Sequence, residues 1–240
     1  MRPLCFLVLI LCLPLSRADE SIRALDRQPI VLGRDARAVP THELGLELAY
    51  FEEAWSPAPT TSALREGATI LTQCGVAITS AELIRLEAPA RYRSFHTAEA
   101  RELASALRLT KPTIYFMAGT RQSPSFDAEA IGRANSDARP EIADTVWVAR
   151  GARDLGIVIA HELAHVLMDS GEHSGKTGNL MREDTAPGNT QLDAAQCERL
   201  RATATANGLL WPLPDCRDGG LRGGTAVDPA CLPPCGPEPP

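Results

Sequence analysis

Two histidines four residues apart, His161 and His165, enclose a glutamate, Glu162, in the run His-Glu-Leu-Ala-His. Four residues advance an α-helix by about 400°, so on a helix both imidazoles stand on one face and can bind one metal ion. Glu162 is rotated by about 100° from His161, which disfavours it as a third ligand but lets it reach a metal-bound water. Zinc lowers the pKa of such a water towards about 7, and a nearby carboxylate can accept the proton as the water attacks a carbonyl. The run therefore predicts metal-assisted hydrolysis, with Glu162 as general base and then general acid.

The pattern is unlike a chance arrangement. Shuffling the 5 His and 17 Glu of this 240-residue chain gives about 0.007 expected matches. The alternative interpretation is a pair of core histidines satisfied by hydrogen bonds. The apolar helix predicted around the pair disfavours this alternative, because unpaired imidazoles are costly to bury.

A third ligand is needed, and His173 is the leading candidate. From Asp169, one turn past His165, four extended residues cover up to about 13 Å, which is enough to return to the metal. Gly171 can adopt the left-handed conformation that such a return needs. Zinc also accepts carboxylate oxygens, so Asp169, Glu183 and Asp184 remain alternatives. We assign no role to the other two histidines, His42 and His96.

The chain resembles the metzincin clan of zinc metallopeptidases in the His161-Glu162-Leu163-Ala164-His165 run, in the Gly171 turn with His173, and in the Gly178-Asn179-Leu180-Met181 run that follows. The resemblance covers roughly residues 60 to 210. It implies an α+β fold of the zincin or metzincin type, with a twisted mixed sheet, an active-site helix and a small C-terminal subdomain. It also implies one Zn²⁺ ion held by His161, His165 and His173, with Met181 in a tight turn beneath it. The alternative for Met181 is simple core filling.

The chain departs from the clan in two ways. The clan's third histidine follows the second by six residues, with a glycine midway between them. Here His173 follows His165 by eight residues, and Gly171 sits late in that gap. No tyrosine follows Met181, so the tyrosine that some members place near the metal has no counterpart. The longer gap argues against the well-known subfamilies.

Hydrophobic periodicity and helix-breaking residues predict the helices and strands around the site. Spacing predicts helices at 61–73, ended by Gly75, at 97–107 after a Thr cap, at 155–168 between Asp154 and Gly171, and at 193–204. Runs rich in β-branched and aromatic residues predict strands at 76–86, 112–117 and 145–149, with a further strand near 29–32. Residues 119–140 are turn-rich, and the stretch 43–55 is apolar and acidic. The helix that carries the histidines is apolar on nearly every face, so we expect it to be buried centrally.

The N-terminal residues indicate export. Residues 1–18 have a positive start, a twelve-residue apolar run and small residues at Ser16 and Ala18, which is typical of a secretory signal peptide. Residues 19–211 then form the metallopeptidase-like domain, and 212–240 are a tail rich in Pro, Gly and Cys. We favour residues 19–56 as part of the fold over a propeptide.

Five cysteines remain after the signal, and in an oxidising compartment they predict disulfides rather than catalytic or zinc-binding thiols. The expected disulfide joins Cys74 and Cys197. Cys216 could pair with Cys231 or with Cys235.

Composition limits the partners. A net charge of −6 without basic blocks argues against nucleic acid and anionic membranes. The sequence therefore predicts a secreted or periplasmic zinc endopeptidase, acting as a monomer, that is soluble once the signal is removed. Its peptide or protein substrate would lie along an edge strand drawn from about residues 134–148. Two alternatives remain: an exported, non-catalytic binding protein on a zincin fold, and a zinc hydrolase of non-protein amide bonds.

Overall fold

The computed structural model describes residues 21–32 and 39–214. The signal peptide, Cys216, Cys231, Cys235 and nearly all of the tail lie outside the described residues. In chain order the elements are β1 (Arg23–Pro29), β2 (His42–Phe51), α1 (Pro57–Leu71), β3 (Val76–Glu87), β4 (Ser94–Phe95), α2 (Thr97–Leu107), β5 (Thr113–Met117), β6 (Gly119–Thr120), β7 (Ala128–Ile131), β8 (Thr145–Ala149), α3 (Leu155–Met168), α4 (Ala194–Ala206) and β9 (Trp211–Pro212).

One mixed sheet organises the molecule. Its strand order is β1-β3-β2-β5-β8-β7, and β9 pairs with the start of β2. Strands β3, β2, β5 and β8 are parallel, whereas β1, β7 and β9 are antiparallel to their neighbours. The predicted α+β class with a twisted mixed sheet is confirmed.

Side chains from the central strands alternate between two apolar clusters, one on each face of the sheet. On β5, Ile114 and Phe116 join the cluster that also contains residues of α1, α3 and α4. Tyr115 and Met117 join the opposite cluster, which contains residues of α2. Helix α3 is thus held between the sheet and other helices, and 13 of its 14 residues are buried, as its apolar composition predicts.

The N-terminal strands differ from the prediction. The strand expected near 29–32 occupies Arg23–Pro29 instead. The stretch 43–55, for which no strand was predicted, contains β2 in the middle of the sheet. Alternation at Leu44, Leu46 and Leu48, all buried in one cluster, is the signal that indicates this strand.

The ends of α3 also differ in detail. The helix ends at Met168, and Asp169, not Gly171, adopts the left-handed conformation (φ 44°) that turns the chain. Asp is one of the few residues other than Gly that visit this region. Asp154 occupies the N-terminal cap position but makes no capping hydrogen bond with its side chain. For α2, the cap position is His96 rather than Thr97.

A disulfide joins the end of α1 to α4. Cys74 and Cys197 are bonded, as predicted, across 123 residues of sequence. Cys74 closes a 3-10 turn that follows α1, and Gly75 ends it with φ 72°, a conformation that favours glycine. Within the described ranges, no helix is both long enough and apolar enough to cross a membrane.

The edge of the sheet beside α3 is β7. The region expected to supply a substrate-binding edge, residues 134–148, contains most of β8, which is paired with β5 on one side and with β7 on the other. That expectation is therefore wrong: β8 is interior, and Ala128–Ile131 forms the edge.

Candidate metal centre

Three imidazole rings converge at the C-terminal half of α3. The Nε2 atom of His165 lies 3.0 Å from Nε2 of His161 and 3.2 Å from Nε2 of His173. The three rings offer ligand atoms that all lie within 4.8 Å of one another. Helical spacing places His161 and His165 on one face of α3, and the loop after Asp169 brings His173 back to them. The arrangement can hold one metal ion.

Backbone carbonyls fix the tautomers of the two helical histidines. Nδ1 of His161 lies 2.7 Å from the carbonyl oxygen of Leu180, and Nδ1 of His165 lies 2.6 Å from that of Ser170. A carbonyl oxygen can only accept, so each Nδ1 carries the proton and donates it. Each Nε2 atom is therefore left with a lone pair that points at the shared centre.

Burial keeps these two imidazoles neutral. It is the largest cause that lowers the pKa of His161, with a smaller lowering from His173, against the hydrogen bond to Leu180. Burial, then the neighbouring His161, lower the pKa of His165 to about 4, and the bond to Ser170 opposes the shift. Neutral imidazole is the form that binds metal, so both side chains are ready to bind at neutral pH.

Glu162 is buried beside the triad and reaches the edge strand. Its side chain lines the same cleft as the three histidines. Burial, followed by the charge of Glu129, raises the pKa of Glu162 to about 8, while the backbone N–H of Ala130 donates to it and opposes the shift. A carboxyl group that can hold or release a proton near neutral pH therefore stands next to the metal ligands.

The cleft has a volume of about 540 Å³ and runs between α3 and β7. Ala128, Glu129 and Ala130 of the edge strand line one side, and the loop that carries His173 lines the other. A volume of this size is within the range of small-molecule and cofactor sites.

The alternative third ligands are not part of the donor cluster. The Oδ1 atom of Asp169 accepts a hydrogen bond of 3.0 Å from the N–H of Ala134, which ties it to the loop after β7. Glu183 lines the cleft but is not one of the three clustered donors, and neither is Asp184. His42 and His96 also lie outside the cluster; Nδ1 of His42 contacts Thr41, and Nδ1 of His96 contacts Glu99.

Met181 lies in a tight turn next to the triad. The N–H of Arg182 donates to the carbonyl of Asn179 over 3.3 Å, which closes a turn with Leu180 and Met181 at its centre. Met181 is buried in the same apolar cluster as α3. Gly178, with φ 76°, precedes the turn in a conformation that favours glycine.

Two further residues support this turn. Asn179 is buried, and its Oδ1 atom accepts a hydrogen bond of 2.9 Å from the N–H of Met181. The amide of Asn179 pairs with that of Gln196 on α4. Sequence reasoning assigned neither residue a role. The Asp193-x-x-Gln196 spacing, which is that of a capping box, was the available signal for Gln196.

The chain matches no protein-family model and no curated protein. Among solved structures it is similar to metalloproteinase-II from Bacteroides fragilis, with 17% identity and a TM-score of 0.49. That match covers 73% of this chain, which spans 56% of the Bacteroides protein. It is also similar to archaemetzincin from Methanopyrus kandleri, with 14% identity and a TM-score of 0.45, over 68% of this chain and 96% of that one. Likenesses this remote do not transfer an activity to this chain.

Proposed function

We propose that this protein is a secreted, zinc-dependent metallopeptidase. The observation that carries the proposal is the convergence of three Nε2 atoms in one cleft with a buried carboxyl group, Glu162, beside them. The resemblance of the sequence to the metzincin clan supports the same conclusion.

The donor set fits zinc. Tetrahedral zinc binds histidine nitrogen at about 2.0–2.1 Å, which places two such nitrogens about 3.3 Å apart. The Nε2 separations of 3.0 and 3.2 Å are close to this value. Three protein ligands also leave a fourth position open, as catalytic zinc sites require. When bound, zinc would polarise a carbonyl oxygen and make water more acidic.

In this proposal Glu162 moves the proton. Its carboxylate accepts a proton from the attacking water and returns it to the leaving nitrogen. The positive charge of a metal ion bound by the three neutral histidines would counteract the effect of burial on the pKa of Glu162 and favour its carboxylate form. The N–H of Ala130 keeps the side chain at the wall of the cleft.

The edge strand β7 is the proposed docking site for an extended peptide. Its outer edge has no strand partner among the described residues, and three of its four residues line the cleft. An added strand would form main-chain hydrogen bonds there and pass the triad. We therefore propose endopeptidase activity on peptides or proteins, by a monomer.

Export is also part of the proposal. Residues 1–18 read as a secretory signal, and the disulfide between Cys74 and Cys197 is typical of an oxidising compartment. N-terminal sequencing of the exported protein tests it: a mature chain that begins at Asp19 is expected.

The Glu162→Gln variant tests the activity. It keeps all three ligands, so it should retain one zinc per chain by metal analysis but lose peptide hydrolysis by about 10²–10⁴-fold in kcat. The control is Glu198→Gln, an exposed residue of α4 outside the cleft, which should behave like the wild type. A wild-type protein without bound zinc would refute the proposal. Bound zinc without hydrolysis of a broad peptide library would favour the non-catalytic binding protein. Turnover of non-protein amides alone would favour the zinc hydrolase of such bonds.

A further inference from the structure

One turn contacts the segments that carry two of the three ligands. The carbonyl of Leu180 accepts from Nδ1 of His161 over 2.7 Å. The next carbonyl, that of Met181, accepts from the N–H of Ser174 over 2.6 Å, directly after His173. His165 does not depend on this turn, because its Nδ1 donates to Ser170 at the end of its own helix.

A pair of side-chain amides holds the turn. Oδ1 of Asn179 accepts from the N–H of Met181, which fixes the orientation of the amide, and it also accepts from Nε2 of Gln196 over 3.1 Å. In return, Nδ2 of Asn179 donates to Oε1 of Gln196 over 2.8 Å. Asn179 is only 4% exposed, so a lost partner would leave a buried polar group unsatisfied.

The first turn of α4 fixes Gln196. Its Oε1 atom accepts from the N–H of Asp193 over 2.9 Å, and its own N–H donates to Oδ1 of Asp193 over 3.0 Å. The Gln196 side chain therefore serves two purposes: it caps a helix and it holds Asn179. The disulfide through Cys197, the next residue, attaches this end of α4 to the end of α1.

We propose that Gln196, acting through Asn179, is a positioning residue of the metal centre. The pair holds the turn so that the Leu180 carbonyl selects the Nδ1–H tautomer of His161, while the Met181 carbonyl anchors the return of His173. The inference rests on the metal site of the proposed function but not on its peptidase activity. Helix capping alone is the competing explanation, and it predicts a loss of stability without an effect on the ligands.

The experiment compares Asn179→Ala and Gln196→Ala with Leu200→Val, which perturbs the buried face of the same helix without touching the amide pair. Zinc affinity is measured by competition with a chelator. Groups that orient metal ligands typically contribute about 10–100-fold in affinity, and this is the loss expected for Asn179→Ala. We expect about tenfold for Gln196→Ala and no change for Leu200→Val.

The metal-free protein provides a second readout. Imidazole ¹⁵N chemical shifts should show His161 losing its Nδ1–H tautomer in both alanine variants, while His165 keeps its own as an internal control. Gln196→Glu retains the acceptor atom but not the donor, so it should recover part of the zinc affinity. Asn179→Asp, which keeps the acceptor for Met181, replaces Asn179→Ala if the latter does not fold.

Zinc affinity and His161 tautomer like the wild type in folded Gln196 and Asn179 variants would overturn the inference. Equal losses in Leu200→Val would also overturn it, because they would indicate general destabilisation. If the wild type binds zinc but hydrolyses no peptide, the proposed activity fails and the positioning role stands. If the wild type binds no zinc, the proposed function fails, and the tautomer of His161 still decides whether the amide pair orients its ring.

Discussion

The proton on Nδ1 decides which nitrogen of His161 and His165 can bind a cation. Two carbonyl groups from different parts of the chain hold these protons, one from Leu180 and one from Ser170. Either ring without its carbonyl could place the proton on Nε2 and lose its ligand atom. The site is therefore already ordered for metal binding before an ion arrives, which lowers the cost of binding.

Lys111 makes the stability of the protein depend on pH, independently of the metal site. Burial lowers its pKa to about 8, against a raising effect from Asp144, and its Nζ atom donates to the carbonyl of Glu141. Between pH 8 and the unfolded value of about 10.5, the unfolded chain binds more protons than the folded one, so stability rises with pH. Lys111→Met removes this rise.

Urea unfolding at several pH values tests the effect. The free energy of unfolding of Lys111→Met minus that of the wild type should be constant below about pH 8 and should fall between pH 8 and 10.5. Other titrating groups cancel in this difference. A difference that stays constant through pH 10.5 would show that burial does not lower the pKa of Lys111.

The residue pattern predicted the triad because helical spacing and chain reach are local properties. His161 and His165 needed only the helix, and His173 needed only a return within eight residues. The roles of Asn179 and Gln196 could not be predicted, because they depend on the docking of α4 against the turn, 17 residues away in sequence. Asp169, weighed as a ligand, instead bonds the loop after β7, which is a long-range contact of the same kind.

Close packing of α1 on α3 positions the helix that carries His161 and His165. Gly67 of α1 faces α3 so closely that an added Cβ would lie 3.1 Å from the carbonyl oxygen of Gly156 and 3.2 Å from Cγ2 of Ile159. Neither neighbour can move easily, because one is backbone and the other is buried between the sheet and the helix. Gly67 thus sets the distance between the two helices.

Gly67→Val should therefore lower the free energy of unfolding by about 1–3 kcal/mol, the usual cost of overpacking. Ser62→Val is the control, because it places the same β-branched residue at an exposed position of the same helix. Urea unfolding measures both, and zinc content shows whether α3 has shifted. Equal stability of the two variants would contradict the role of Gly67 as a spacer.

Several helices and strands followed from composition, whereas β2 did not, and neither did β7, which lies within the stretch 119–140 that was predicted as turn-rich. Helix α2 and strand β8 occupy the predicted residues, 97–107 and 145–149. Strand β2 combines alternating leucines with Glu43 and Glu47, and its acidic residues concealed the pattern. Glu47 is buried only because Arg27 and the N–H of Thr110 donate to it, and both contacts come from distant segments.

At the scale of the whole molecule, the cleft is acidic. Glu129, Asp169 and Glu183 line it together with Glu162, and none of its described lining residues is Lys or Arg. The full chain carries a net charge of −6. Cationic peptides should therefore be attracted to the cleft, and the attraction should weaken as salt screens the charges.

If the proposed peptidase activity is assayed, the acidic cleft predicts that kcat/KM for a lysine-rich peptide falls more steeply with ionic strength than kcat/KM for a neutral peptide of the same length. Burial raises the pKa of Glu129, and the charge of Arg139 opposes this shift and offsets part of the negative field. Glu129→Gln should reduce the preference for the cationic peptide several-fold. Glu198→Gln changes the net charge equally but lies outside the cleft, so it should leave the preference unchanged. A preference that is insensitive to salt and to Glu129 would contradict electrostatic selection.

The bond between Cys74 and Cys197 encloses the triad, Glu162 and the supporting turn within one covalent ring. The segment 182–190, which includes exposed Glu183, Asp184, Pro187 and Gly188, lies inside this ring. A single nick there, including one that the proposed activity of another copy of this protein would make, would leave both fragments attached to each other. Nicked molecules would migrate as one band in a non-reducing gel and as two bands after reduction, so self-cleavage at this loop would escape detection unless the sample were reduced.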